Sequence, residues 1–103
     1  MRRIGIGQIG LLVCMLMLFA GAVQAQDSVA RSLAATCTGC HGTNGRSAGG
    51  MPELAGMERA TMVTLLQEFR SGQRPATVMH QISKGFTDEQ FERIAGYFAA
   101  QAK

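Results

Sequence analysis

The sequence predicts an all-α fold, and three observations carry the prediction. No stretch shows the apolar–polar alternation of a strand. Two stretches, Arg59 to Ser71 and Thr87 to Phe98, repeat their apolar residues with a helical period. Between them and before them lie glycine- and proline-bearing interruptions without any period. A chain of 103 residues holds one small domain, which excludes two-domain enzymes and P-loop machinery. At 47% hydrophobic, 17% charged and two prolines, the composition is globular rather than disordered.

The chain starts with a leader. Arg2 and Arg3, an apolar run from Leu11 to Ala22, and the exit Val23-Gln24-Ala25 form the three parts of a secretory signal peptide. Cleavage is expected after Ala25, because the peptidase pocket accepts only small side chains; Ala20-Gly21-Ala22 offers the alternative. The rival is an uncleaved anchor, since Ile4 to Val23 carries Gln8 as its only strongly polar residue and is long enough to span. Gly5, Gly7 and Gly10 weaken that helical start, and the small-residue exit favours removal. Cys14 lacks the small residues of a lipoprotein site before it and leaves with the leader. The arginine pair lacks the polar surroundings of a twin-arginine signal, so ordinary unfolded export is expected, most simply into a bacterial periplasm. The expected division is therefore residues 1–25 as cleaved signal peptide and 26–103 as the working domain.

All seven acids lie at Asp27 or beyond. Setting aside Arg2 and Arg3, eight basic residues face seven acids, so the body is nearly neutral. No nucleic-acid partner is expected, and no membrane once the leader is gone.

Within the body, Ser28 to Cys37 reads as a first helix with Asp27 or Ser28 as its cap and Val29, Leu33 and Cys37 along one face. Gly42 to Gly56, with five glycines and Pro52, reads as a loop. Arg59 to Ser71 is the second helix, its apolar stripe being Met62, Leu65, Leu66 and Phe69, and Gly72 is its stop. Gln73 to Gly85 stays open: Pro75 discourages a long helix, while Thr77 can cap a short turn through Ile82. The last helix has a capping box at Thr87 and Gln90, acids at Asp88 and Glu89 in the positive first turn, and an apolar face of Phe91, Ile94, Ala95 and Phe98. Gly96 interrupts it at a cost of about 1 kcal/mol relative to Ala, which points to close approach by another backbone.

Removing 25 of 103 residues leaves 78, a length at which a domain usually needs a staple. Cys37 and Cys40 remain, and a disulfide between them would close a tiny loop and stabilise little. Followed at once by His41, the run Cys37-Thr38-Gly39-Cys40-His41 reads instead as a c-type haem attachment site. Two thiols about one helical turn apart reach the two vinyl groups on one porphyrin edge, and the next imidazole reaches the iron. A thioredoxin-like pair would need a βαβ scaffold, and a zinc site would need a fourth ligand when His80 is the only other histidine.

These residues resemble the class I cytochromes c: a helix ending in C-x-x-C-H, a Gly/Pro loop, a methionine and a C-terminal helix, over essentially all of Gln26 to Lys103. The runs Cys37 to Gly45, Pro52 to Gly56, Arg74 to Met79, Lys84 to Glu89 and Ile94 to Ala99 are similar to the cytochrome subunit of flavocytochrome c sulfide dehydrogenase and, more distantly, to cytochrome c4 domains. The resemblance implies a small class I cytochrome c fold, three to five helices around one covalent haem c. It implies thioether links at Cys37 and Cys40, proximal ligation of iron by His41 and distal ligation by Met79. It also implies a Pro52 carbonyl that accepts the proximal imidazole N–H, Leu54 packed on the haem face, and crossing of the terminal helices at Gly96 and Tyr97. Met51 departs from the family pattern, which has glycine before the proline.

The choice of distal ligand also follows from position. Met51 and Met57 come too soon after His41 to cross to the other face, and Met62 lies on the apolar stripe of the second helix. Met79 sits between two helices, where a loop can aim a thioether; its bland alternative is a packing methionine, and adjacent His80 is a possible competitor. With both axial positions filled, the expected function is one-electron transfer between Fe(III) and Fe(II) rather than catalysis. The resemblance implies redox protein partners, foremost a sulfide-oxidising flavoprotein on a separate chain; the alternative is a free carrier serving a terminal oxidase or reductase. Arg46, Arg59, Arg70, Arg74 and Lys84 are candidates for a docking ring.

Overall fold

Where helices stop in this chain is decided by its breakers. A computed structural model describes residues 1–17 and 28–103, and the described residues form four α-helices and one 3-10 turn, with no strand. Helix α1 runs Ile6–His41, α2 Arg59–Ser71, α3 Met79–Ser83 and α4 Asp88–Ala99. The 3-10 turn is Thr43–Gly45. The expected cleavage points after Ala25 and Ala22, and the candidate cap Asp27, lie outside the described residues.

Helix α1 extends past both expected ends. Ser28 lies inside it rather than capping it, because no proline interrupts the span and Ala30, Ala34 and Ala35 are strong helix formers. It stops at Gly42, whose φ of 87° leaves the helix while its amide donates to the Thr38 carbonyl at 3.0 Å. Cys37, Cys40 and His41 thus all stand on the final turns of one rigid element.

The expected inward face of α1 holds at Leu33 and Cys37 and fails at Val29. Val29 is 46% exposed, whereas Ala34 is fully buried, with Leu33 and Cys37 packed beside it. Ala34 and Ala95 share the core with Met62, Ile94 and Phe98, and two such small side chains let α1 and α4 pack closely.

Helix α2 has the expected bounds and ends at Gly72 in the left-handed region (φ 81°). Its Met62 is buried, and Val63 and Leu66 pack against the core. Helix α3 starts at Met79 itself after Val78, with no side-chain cap, so Thr77 does not perform that role. In α4 both capping-box bonds form: Gln90 N donates to Thr87 Oγ1 at 3.2 Å, and Thr87 N donates to Gln90 Oε1 at 2.9 Å. Arg70 ties α2 to the start of α4, donating to the Phe86 carbonyl at 3.2 Å, pairing with Asp88, and lying 4.8 Å over the Phe91 ring.

Gly96 corrects one expectation. A Cβ built there meets only the Arg59 guanidinium, at 3.7 Å, and no backbone. The close approach of helices belongs to Ala95 one residue earlier. Gly96→Ala is therefore expected to stabilise the protein by about 0.5–1 kcal/mol, the helix-propensity difference, read as a higher urea midpoint at unchanged slope. A lower midpoint would show that the groove beside Arg59 tolerates no methyl group.

Candidate functional site

The end of α1 presents three chemically distinct groups in sequence. Cys37 is half-buried against the core and Cys40 is exposed; neither is in a disulfide. Burial pushes the Cys37 thiol above its ordinary pKa and nearby Cys40 adds to the rise, while the Thr36 hydroxyl contact opposes it. His41 is buried, only 6% exposed.

The orientation of His41 comes from the loop. Its Nδ1 lies 2.7 Å from the Pro52 carbonyl oxygen. A carbonyl can only accept, so Nδ1 carries the proton and Nε2 is left with a free lone pair. That is the form a metal requires of an imidazole. Met51, despite replacing the family's glycine, does not prevent Pro52 from reaching the ring.

Loop closure around this bond depends on Gly45. Its carbonyl accepts from Leu54 N at 2.8 Å and Ala55 N at 3.2 Å. Its φ is 78°, and a Cβ there would come within 2.7 Å of the Phe98 ring and 2.9 Å of Ala55 N. Only glycine fits between α4 and the returning loop.

The other sequence-predicted residues lie around this frame. Leu54 is half-buried against the core, and Pro52 contributes its carbonyl from an exposed position. Met79 is half-buried at the first position of α3, a helical start rather than the irregular segment expected. Of the remaining methionines, Met62 is buried in the core, Met57 packs on it, and Met51 is 39% exposed.

Two arrangements lie beyond any local pattern, although Tyr97 and His80 are themselves singled out by the sequence. Tyr97 Oη donates to Asn44 Oδ1 at 2.7 Å, across 53 positions of chain, and Asn44 holds a left-handed backbone (φ 55°). His80 Nδ1 and Ser83 Oγ are buried without a hydrogen-bond partner. The expected docking ring is largely engaged internally. Arg46 donates to the Ala102 carbonyl at 2.8 Å, Arg59 pairs with Glu92 at 2.9 Å, Arg74 pairs with Glu68 at 2.8 Å, and Arg70 makes the clamp above. Lys84 is exposed.

The donor set fits a covalent haem. It has two thiols outside any disulfide on the last turns of one helix and an imidazole whose Nε2, in the neutral ring, is free to bind a metal. The core agrees, because its fully buried apolar side chains among the described residues are few, while Val78 and Ile82 stay 46% and 37% exposed. Such an interior stabilises a small body weakly without a further apolar mass. Among the described residues no group of three or more His, Cys, Asp or Glu gathers as a metal site.

Comparison with known proteins agrees with this chemistry. The cytochrome c family model matches residues 28–101. The chain is 38% identical over 77 residues to the cytochrome subunit of sulfide dehydrogenase of Chlorobaculum tepidum, covering 75% of this chain and 70% of that protein. It is 33% identical over 70 residues to cytochrome c-554(548) of Halomonas halodenitrificans, covering 64% of this chain and 84% of that one. It is 33% identical over 69 residues to cytochrome c4 of Pseudomonas aeruginosa, covering 66% of this chain and 34% of that protein. The match takes in the end of α1, the loop that orients His41 and the whole of α2, α3 and α4, so the chain belongs to the cytochrome c family and carries covalently bound haem c with its iron.

Proposed function

We propose that this protein is a periplasmic one-electron carrier, released by cleavage after Ala25, that accepts electrons from a sulfide-oxidising flavoprotein as its cytochrome subunit. In this reading residues 26–103 form a monohaem domain, with Cys37 and Cys40 holding the haem through two thioethers. His41 is the proximal ligand, Met79 the distal ligand, and Leu54 packs on the haem face. When bound, the haem supplies an Fe(III)/Fe(II) couple.

The chain's own residues do the rest. Pro52 accepts the His41 Nδ1 proton, which fixes the tautomer and the ring orientation. Gly45 and α4 hold the loop that carries Pro52. A Met79 thioether completing the iron's ligand set would favour Fe(II) and leave substrate no open position on the metal, so the chain would transfer electrons rather than catalyse a reaction by itself. Among the described residues no helix is long and apolar enough to cross a membrane.

The observation that carries the subunit reading is the 38% identity to the cytochrome subunit of sulfide dehydrogenase over most of both chains. A second reading, a diffusible carrier serving a terminal oxidase or reductase, needs the same residues.

Mass and optical spectrum of the purified protein test the core of the proposal together. The expected product starts at Gln26, is heavier than its polypeptide by one haem, and is red. A colourless product of bare polypeptide mass sinks it. Co-purification with a flavoprotein supports the subunit reading, and isolation as a lone, redox-active chain supports the free carrier.

A further inference from the structure

We propose that Tyr97 is a positioning residue for the proximal imidazole, holding the His41–Pro52 hydrogen bond in place through Asn44. The inference rests on the reading of His41 as the proximal ligand.

Asn44 adopts φ 55° and ψ 23°, a left-handed conformation that most non-glycine residues avoid and asparagine tolerates. Its side chain is held there by the Tyr97 hydroxyl at 2.7 Å. The next residue, Gly45, accepts from Leu54 N and Ala55 N, and Pro52, two positions before Leu54, accepts from His41. The imidazole therefore grips the returning loop at Pro52, the α4 hydroxyl grips the turn at Asn44, and the bonds from Leu54 and Ala55 to Gly45 join the two segments. Two further bonds attach the loop to the end of α4: Gly56 N donates to the Phe98 carbonyl at 2.9 Å, and Arg46 Nε donates to the Ala102 carbonyl at 2.8 Å. Those two hold the regions beyond the turn. Tyr97 holds the turn itself, three residues from His41.

The phenol is separable from the ring. Tyr97 packs against the core and meets Phe98 edge-on, with centroids 5.3 Å apart at 82°. Tyr97→Phe keeps that packing and deletes one hydrogen bond. Asn44→Gly deletes the same bond from the other side and suits the positive φ. A firm N–H to carbonyl bond makes the imidazole a stronger electron donor and favours oxidised iron, so loosening it raises the midpoint potential.

The test uses the haem-loaded protein, its two single variants and the double variant. It reads the exchange rate of the His41 Nδ1 proton by NMR in the reduced state, the midpoint potential, and global unfolding in urea. The expected result in either single variant is exchange about fivefold faster, the factor of one neutral hydrogen bond. The potential should rise as well, and the double variant should change neither further. An unchanged rate and potential, or faster exchange matched by every α4 amide in step with global unfolding, overturns the role of Tyr97. If Tyr97→Phe does not fold, Asn44→Gly alone decides between these results. A wild-type protein with haem attached but no imidazole proton near the iron overturns the assignment of His41 and this inference with it. A normal His41 signal that ignores both substitutions overturns only the inference.

Discussion

Met79→Ala should leave the haem attached and red while abolishing the thioether–iron absorption band in the near infrared. The midpoint potential should fall by on the order of 0.1–0.3 V, part of the ~0.8 V range over which axial ligands set haem potentials. Attachment survives because both thiols stand on α1, far along the chain from α3. The potential falls because a soft thioether stabilises Fe(II), and water or a nitrogen donor in its place does so less. The neighbour in α3 makes the experiment sharper. His80 follows Met79 directly in α3 and its Nδ1 is buried without a partner, so its imidazole is the first donor to test as a replacement for the thioether. The double variant with His80→Ala should then differ from Met79→Ala in spectrum. Survival of the band in Met79→Ala would refute the ligand assignment. Met62 is committed to the core and Met57 packs on it, so Met51, 39% exposed on the loop, would be the next to test.

Phe98→Ala should cost about 3–5 kcal/mol, against a total stability of roughly 5–15 kcal/mol for a domain. The side chain is fully buried at the point where α1, α2 and α4 meet. Its ring also covers Gly45, and its carbonyl accepts from Gly56 N, so truncation opens a cavity beside the loop that orients His41. Urea titration followed by haem absorption and by far-ultraviolet circular dichroism checks this. Both signals should shift to much lower urea, with the haem signal changing first. Phe91 provides the comparison, being equally buried but placed with Phe86 and Arg70 at the start of α4. Its replacement by Ala should destabilise by a similar amount with the two signals moving together. A loss below about 1 kcal/mol for Phe98→Ala would mean that the core there collapses onto the gap, and the loop does not depend on the ring.

Local rules govern what was legible along the chain. The capping box of Thr87 and Gln90, the apolar face of α4, the bounds of α2 and the stop at Gly72 each depend on residues within one or two turns. Spacing along a helix likewise makes Cys37, Cys40 and His41 readable, since one turn of any α-helix brings them to one end of the same element. The acid-free, apolar composition of residues 1–25 is equally plain, although the expected cleavage points fall outside the described residues. Such features need no partner from elsewhere in the fold, which is why pattern alone reaches them.

Other features required the chain to return on itself. Ala34 and Ala95 share the core beside Leu33 and Cys37, whereas Val29, on the same predicted face, lies at the surface. Gly96 faces the Arg59 side chain rather than a backbone. The docking arginines found acids and carbonyls that no local rule pairs with them. The hold of Tyr97 on Asn44 spans 53 positions and left no trace in periodicity or motif. By itself the sequence determined an all-helical body with a thiol–thiol–imidazole run, because those depend on composition and neighbours. Only the tertiary structure decided which nitrogen of His41 is free and what braces the loop beside it, because a hydrogen bond between distant segments exists only once packing has brought them within 3 Å of each other.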